Sequence, residues 1–347
     1  MQELKVLELF AGLGACSKAL ERLNIPHEIV DAVEIDKYAI QSFNAIHETD
    51  FEPQDITTWD KNIDVDLIMH GSPCQDFSLA GKQAGGDEGS GTRSSLMYET
   101  IRIVEKLKPK YVLWENVKNL LSKKHRHNFD AYLETLEQLG YKNYYQVLNA
   151  KDYGIPQSRE RVFTISIRND IDKNFHFPEK QPLELRLKDL LDNKVKDIAP
   201  TQSTQCGSAT SSSAVLIRNK SLRETLEQNN IEKDISFIDS YNRNIRKDDL
   251  SGTITTRVSD SNNTFIAIKP DDECVTTDLR IRKLTPKECW MLMGFDGVDF
   301  EKAEKINSNT QLYKQAGNSI VVNVLEAIFK ELFGEYIQNL DKWSDLD

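Results

Sequence analysis

KVLELFAGLGACSKALERL, residues 5–23, reads as a strand, a glycine turn and a helix in succession. KVLELF (5–10) is a short apolar run, Gly12 and Gly14 follow it, and the next nine residues put Ala15, Ala19, Leu20 and Leu23 on one helical face. The same alternation continues. EIVDAVE (28–34), VDLIMH (65–70), YVLWEN (111–116), YYQVLNA (144–150) and RVFTISI (161–167) have strand character. SLMYETIRIVEKL (95–107) and FDAYLETLEQL (129–139) repeat apolar residues at helical spacing. Strand–helix alternation of this kind predicts a doubly wound α/β sheet, whose ligands sit beyond the carboxyl ends of the strands.

The texture changes after about residue 175. Segments such as PTQSTQCGSATSSS (200–213) and TITTRVSDSNNTF (253–265) are rich in Ser, Thr and Asn and keep no helix–strand rhythm. Order returns at RKLTPKECWMLMGF (282–295), and NSIVVNVLEAIFKELFGEYI (318–337) reads as a final helix. The expected division is a first domain over 1–178, completed by about 310–347, and a smaller loop- and strand-rich domain over 179–309.

Composition narrows the classes. The five cysteines (Cys16, Cys74, Cys206, Cys274 and Cys289) are odd in number and form no CxxC pair, which speaks against a disulfide framework and a structural metal site. No apolar run of about 18 residues is present, and the N-terminus lacks the pattern of a secretion signal, so a cytoplasmic protein with no membrane partner is expected. The net charge of −11 is a warning against nucleic-acid binding, unless local basic patches such as KKHRH (123–127) supply the contact.

Four motifs carry chemistry. In ELFAGLGA (8–15), Gly12 and Gly14 let the backbone approach a ligand at a helix N-terminus, although a ligand-free tight turn fits as well. Glu34 ends the second strand at a spacing that suits ribose hydroxyls, or is a surface charge. GSPCQDFS (71–78) places Cys74 after a buried strand, where it is a candidate nucleophile if its pKa is lowered or a base is near. WENV (114–117) puts Glu115 on the same sheet edge; a carboxyl group beside a thiolate suits attack on an electron-poor ring. In PQSRERVF (156–163), Gln157, Arg159 and Arg161 occur at alternate positions and in an extended segment face one way, toward an anionic or carbonyl-rich partner.

These blocks, with RKLTPKECWMLMGF and QAGNSIVVNVL, resemble in order and spacing the DNA (cytosine-5)-methyltransferases of bacterial and phage restriction–modification systems. The resemblance covers about residues 4–170 and 280–330. It implies a Rossmann-like S-adenosylmethionine-dependent domain with a target-recognition domain beside it, acting on double-stranded DNA, with no metal. A cognate restriction endonuclease sharing the target site is the further partner it allows, in a bacterial or phage-infected cell. By resemblance Cys74 adds to C6 of a flipped-out cytosine, Glu115 contacts N3 and the exocyclic amine, Arg161 contacts O2, and Arg159 and Gln157 support the pocket. Phe10, Gly12, Leu13, Gly14, Glu34, Ile35, Asp55, Ile56, Pro73, Leu96, Asn318 and Ser319 fall at cofactor positions, Glu34 on the ribose and Asp55 on the adenine amine. Asp55 alone reads equally as a helix cap. SLAGKQAGGDEGSGTRSS (78–95) suits a loop that closes over DNA, and Arg257 in TITTR (253–257) is the candidate contact to the target.

A related tRNA cytosine-5 methyltransferase is the alternative, with nearly the same catalytic residues. A catalytically inactive DNA-binding module is disfavoured by the presence of Cys74, Glu115, Arg159 and Arg161, and a dehydrogenase by the absence of GxGxxG.

Overall fold

A computed structural model describes residues 3–72, 96–191, 250–251 and 284–334 in full, and the strand backbone of 235–239, 244–245, 265–268 and 280–283. Pro73, Cys74, Arg257, Cys206, Cys274 and the 78–95 segment lie outside the described residues.

Six strands form the main sheet: β1 (Leu4–Leu9), β2 (His27–Val33), β3 (Leu67–His70), β4 (Tyr111–Val117), β5 (Tyr141–Asn149) and β6 (Glu160–Arg168), in the order β2-β1-β3-β4-β6-β5. β1 pairs in parallel with β2 and β3, and β3 in parallel with β4. The order reverses between β1 and β3, which opens a crevice at their carboxyl ends. β5 and β6 are joined without a crossover helix, so β6 runs antiparallel to both β5 and β4 and is inserted between them.

Alternation along the strands decides what each face carries. Leu4, Val6, Leu67, Met69 and Leu113 face one core, shared with α1 (Ala15–Arg22) and the C-terminal helices. Leu7, Leu9, Ile68, Val112 and Trp114 face the other, beneath α3 (Met97–Leu107) and α4 (Arg126–Gln138). The amphipathic KYAIQSFNAIH forms a further helix, α2 (Lys37–His47), whose Ile40 and Phe43 cover Ala11 and Ala32.

The C-terminal part completes the first core. TPKE starts α5 (Pro286–Met291) with a capping box, in which Thr285 Oγ1 accepts from the Glu288 amide and the Glu288 carboxylate accepts from the Thr285 amide. α6 (Gly297–Glu304), α7 (Asn309–Asn318) and α8 (Val322–Leu332) follow. Leu284, Trp290, Phe295, Phe300 and Ala303 belong to the same cluster as Val6 and Leu20. Lys18 on α1 forms a buried ion pair with Asp299 at 2.9 Å, and Arg22 donates to the Gly294 carbonyl at 2.7 Å. Residues 284–309, assigned in sequence to the second domain, are therefore continuous with the core of the first. The predicted helix over 318–337 begins only at Val322, because Ser319 and Val321 are extended and the Ser319 carbonyl is taken by the Arg159 guanidinium at 2.8 Å.

The remaining strands, β7 (Ile235–Asp239), β8 (Asn244–Ile245), β9 (Phe265–Ile268) and β10 (Arg280–Lys283), make a separate antiparallel sheet in the order β10-β9-β7-β8. Between β8 and β9, Ser251 pairs with the 156–158 segment: its amide donates to Pro156 O at 2.8 Å and its carbonyl accepts from Ser158 N at 2.9 Å. Among the described residues no helix is long and apolar enough to cross a membrane.

Buried His70 and part-buried His47 make stability depend on pH. Burial pushes His70 down to about 3 and His47 to about 4, from an ordinary value of 6.5. The unfolded chain thus takes up these protons first. Their contribution is full above about pH 6.5 and is lost as the pH falls, on the order of 2 kcal/mol each by pH 5. Glu8, raised by burial to about 7, acts in the opposite direction. The histidine effect is therefore read as a difference between variants. The destabilisation caused by His70→Gln, measured by urea unfolding, is expected to be smaller at pH 5 than at pH 8 by on the order of 2 kcal/mol. An equal cost at both pH values would contradict the buried neutral imidazole.

Candidate active site

The strand ends meet at one level. His70 of β3 is opposite Trp114 of β4, so Gly71 comes beside Glu115; a Cβ built on Gly71 would lie 3.8 Å from Glu115 Oε2 and 3.4 Å from Ile320 Cδ1. Glu115 is only 8% exposed. Across the β4–β6 pair, Arg161 Nε lies 3.1 Å from Glu115 Oε1, close enough for an ion pair but not aligned as a hydrogen bond. Arg159 adds a second positive charge and donates to the carbonyls of Ser319 at 2.8 Å and Gly317 at 3.3 Å. Burial raises the Glu115 pKa, and the two guanidinium groups pull it back only in part. The result is a carboxyl group that keeps a proton more readily than usual, facing a crevice. It is suited to donate a hydrogen bond to a ring nitrogen.

Gln157 does not join this group. Its side chain is fully buried and donates to Leu292 O at 2.9 Å, leaving Oε1 without a partner among the described residues. The expectation that Gln157, Arg159 and Arg161 face one way thus holds for the two arginines alone. The chain around Gln157 is irregular, with the Arg159 amide bonded to Gln157 O, so the period of two expected of an extended segment does not run through it.

The glycine turn forms the adjoining pocket. Phe10 (φ 54°), Gly12 (φ 58°) and Gly14 (φ 75°) are all left-handed; glycine adopts this freely, and Phe10 alone bears the strain. A Cβ on Gly14 would lie 2.1 Å from His47 Nε2. Gly14 caps α1 without a side-chain bond; Glu8 supplies the acceptor instead, its Oε1 taking the Ser17 amide at 3.0 Å and the Ser17 hydroxyl at 2.5 Å. Phe10, Gly12 and Leu13 line the pocket with Asn318 and Ser319, some 300 residues away in sequence. Gly71, from the Cys74 motif, lines it too, as do Glu8, Met69 and Ile320, which the sequence does not single out. The signals were faint: an acidic residue inside an apolar strand, and an isoleucine next to Asn318–Ser319.

Beyond this pocket, Glu34 follows β2. Its oxygens accept from the Gly12 amide at 3.1 Å and the Asp36 amide at 2.9 Å. A carboxylate has about four acceptor sites, so two remain for vicinal hydroxyls. Burial raises its pKa. Ile35 beside it is 69% exposed, a bare apolar surface of the kind an aromatic base covers. Gln54 N bonds Glu34 O at 2.9 Å and so brings Asp55 and Ile56 alongside. Asp55 Oδ1 caps the local turn through the Thr57 amide and hydroxyl, both at 2.9 Å. Leu96 stands at the start of α3. An adenosine with a methionine-like tail fits this chain of groups: a carboxylate for ribose, a bare apolar side chain for adenine and a glycine turn for close approach.

The KKHRH segment is less free than expected. Arg126 is held by Asp130 at 2.7 Å and by the Tyr145 hydroxyl at 3.0 Å, and His125 is buried.

Glu34→Gln replaces the second acceptor oxygen with a donor. S-adenosylmethionine is expected to bind at least about tenfold more weakly, measured by calorimetric titration, with the thermal midpoint little changed.

Comparison with known proteins gives a consistent result. The family model for C-5 cytosine-specific DNA methylase matches residues 4–334. The type II methyltransferase M2.ScrFI of Lactococcus lactis subsp. cremoris is 39% identical, with 95% of this chain and 99% of that protein covered. M.HhaI of Haemophilus parahaemolyticus, also a type II methyltransferase, is 34% identical over 94% and 93% of the two chains. Among solved structures, Spodoptera frugiperda DNMT2 superposes with a TM-score of 0.68 at 22% identity, covering 95% of this chain and 100% of that one, a likeness of fold.

Proposed function

Because the chain belongs to the C-5 cytosine-specific DNA methylases, enzymes that move a methyl group from S-adenosylmethionine to C5 of cytosine in DNA, we propose that Cys74 is its nucleophile and Glu115, Arg159 and Arg161 form its cytosine pocket. The observation that carries this reading is the buried carboxyl group of Glu115. It is raised in pKa, flanked by two guanidinium groups, and set beside Gly71, three residues before Cys74.

The chemistry explains the residue types. C5 of cytosine is a weak nucleophile. Addition of the Cys74 thiolate to C6, with a proton from Glu115 to N3, turns the ring into an enamine whose C5 is nucleophilic. Arg161 binds O2 and, with Arg159, keeps Glu115 from becoming an isolated buried charge. The bound cofactor supplies the methyl group on a positively charged sulfur. Once C5 has bonded to the methyl carbon, its proton leaves to water, the C6–Sγ bond breaks to release the Cys74 thiolate, and N3 returns its proton to Glu115, which restores aromaticity. C6 cannot be reached inside a stacked duplex, so the nucleotide is flipped out.

The cofactor residues are assigned in the same way. Glu34 takes the ribose, Ile35, Ile56, Pro73 and Leu96 enclose the adenine with Asp55 at its amine, and Phe10, Gly12, Leu13, Gly14, Asn318 and Ser319 surround the rest. The target-recognition module is the expected 179–309 less its ends, since Leu187, Leu190 and Leu191 and residues from Leu284 on enter the first core; that leaves 192–283, with Arg257 at the DNA. The described antiparallel sheet and the bond of Ser251 to the 156–158 segment support a module attached next to Arg159. Gln157 braces that attachment rather than touching the base. A restriction endonuclease sharing the target site, in the cytoplasm of a bacterial or phage-infected cell, is the partner this reading adds; two bacterial relatives are named type II methyltransferases, whereas four phage relatives are named orphan methyltransferases.

Cys74→Ser is expected to lower methyl transfer at least about 100-fold, since a neutral hydroxyl is a far weaker nucleophile than a thiolate, while cofactor and DNA still bind. Wild-type enzyme with DNA carrying 5-fluorocytosine at the target is expected to form a denaturation-resistant adduct that maps to the Cys74 peptide. An active enzyme that forms no adduct would overturn the covalent role.

Recognition is tested by exchange. Replacing 192–283 with the matching segment of a relative of different specificity should change which sequence is methylated, as read by bisulfite sequencing of plasmid DNA. An active, folded chimaera with unchanged preference would place recognition elsewhere.

A further inference from the structure

β4 has two faces at its carboxyl end, and the mechanism uses only one. Glu115 points into the crevice with Leu113 behind it. Trp114 and Asn116, by the period of two, point to the opposite side, and both reach Ser72. The Trp114 indole nitrogen donates to Ser72 Oγ at 3.0 Å, and Asn116 Nδ2 donates to Ser72 O at 3.4 Å. Ser72 is buried and stands two residues before Cys74.

The indole is itself immobilised. It stacks on His70 (5.6 Å between centroids, 6° between planes) and packs against Phe129 at 5.8 Å and Tyr132 at 4.3 Å. His70 in turn is held by the Tyr132 hydroxyl at 2.9 Å. An indole N–H is a donor with no acceptor capacity. Fixed in this way, it allows the Ser72 side chain a single orientation, in which its oxygen accepts. Two of the three residues 114–116 thus grip the chain just upstream of the nucleophile, while the third faces the substrate.

We propose that Trp114 is a positioning residue for the nucleophile: its hydrogen bond to Ser72 sets the direction in which the chain leaves β3 toward Cys74. Trp114 and Ser72 are both buried and neither lines the pocket of the glycine turn. The grip acts on the reaction only through placement of the thiolate relative to C6, where a small displacement is amplified in rate. This rests on the reading of Cys74 as the nucleophile.

The test is the rate of adduct formation with 5-fluorocytosine DNA in the presence of cofactor, for wild type, Trp114→Phe, Ser72→Ala and the double variant. Loss of one neutral hydrogen bond at a positioning contact predicts adduct formation about three- to tenfold slower in each single variant. Cofactor affinity should be unchanged. The double variant should be no slower than the worse single one, because both remove the same bond. A merely structural role would give losses that follow thermal stability, and residues acting independently would give additive losses. Ser72→Ala leaves the aromatic packing intact and decides the matter if Trp114→Phe does not fold. Wild-type rates in folded Ser72→Ala, or additive losses in the double variant, overturn the proposal. A wild-type adduct that maps to a residue other than Cys74 overturns the underlying reading instead.

Discussion

Glu115 is a carboxyl group taken out of water at the end of a central strand, and the cost of burying its charge shapes everything around it. An isolated carboxylate in such a place is costly, and two guanidinium groups lower that cost without removing it. Arg161 can approach only because β6 is antiparallel to β4 and inserted beside it. Arg159 Nη2 donates to two carbonyls, Gly317 in the last turn of α7 and Ser319 in the extended chain just beyond it. The delayed start of α8, the hairpin of β5 and β6 and the packing of the C-terminal helices on α1 all serve this one arrangement.

The same carbonyls join two sites. Gly317 and Ser319 hold Arg159, while Asn318 and Ser319 line the pocket formed by the glycine turn. The residues that line this pocket and those that hold Arg159 are thus parts of a single turn. α6, α7 and the turn between them are tied to α1 and α2 by buried polar contacts: Lys18 with Asp299, Ser42 with Gln315 at 3.1 Å, and Asn307 with Ser42 at 2.9 Å. These contacts close the chain on itself, so that residues near 10 and near 320 share a wall.

Much of this was legible in the chain. The six strands of the main sheet fall within a few residues of their expected places, because each is a short apolar run bounded by turn residues. Glu115, Arg159 and Arg161 were assigned to one pocket, and they do cluster. Gln157 was misjudged because periodicity assumes an extended backbone, and the irregular turn before β6 breaks it. The 284–309 stretch was assigned to the wrong side of the domain boundary for a related reason. Its capping box and apolar residues announce helices, but local pattern does not say which core they enter.

What the sequence determined by itself was local and chemical: where strands start, where glycine is required, and which residue types are present to react. Those follow from backbone sterics and side-chain chemistry, which act over a few residues. What only the tertiary structure decided was proximity across the chain. Ile320 stands against Gly71, Ser319 holds Arg159, and Trp114 grips Ser72 because separate strands and helices are packed into one register. No pattern along the chain encodes those distances directly, since they are set by the closing of a common core.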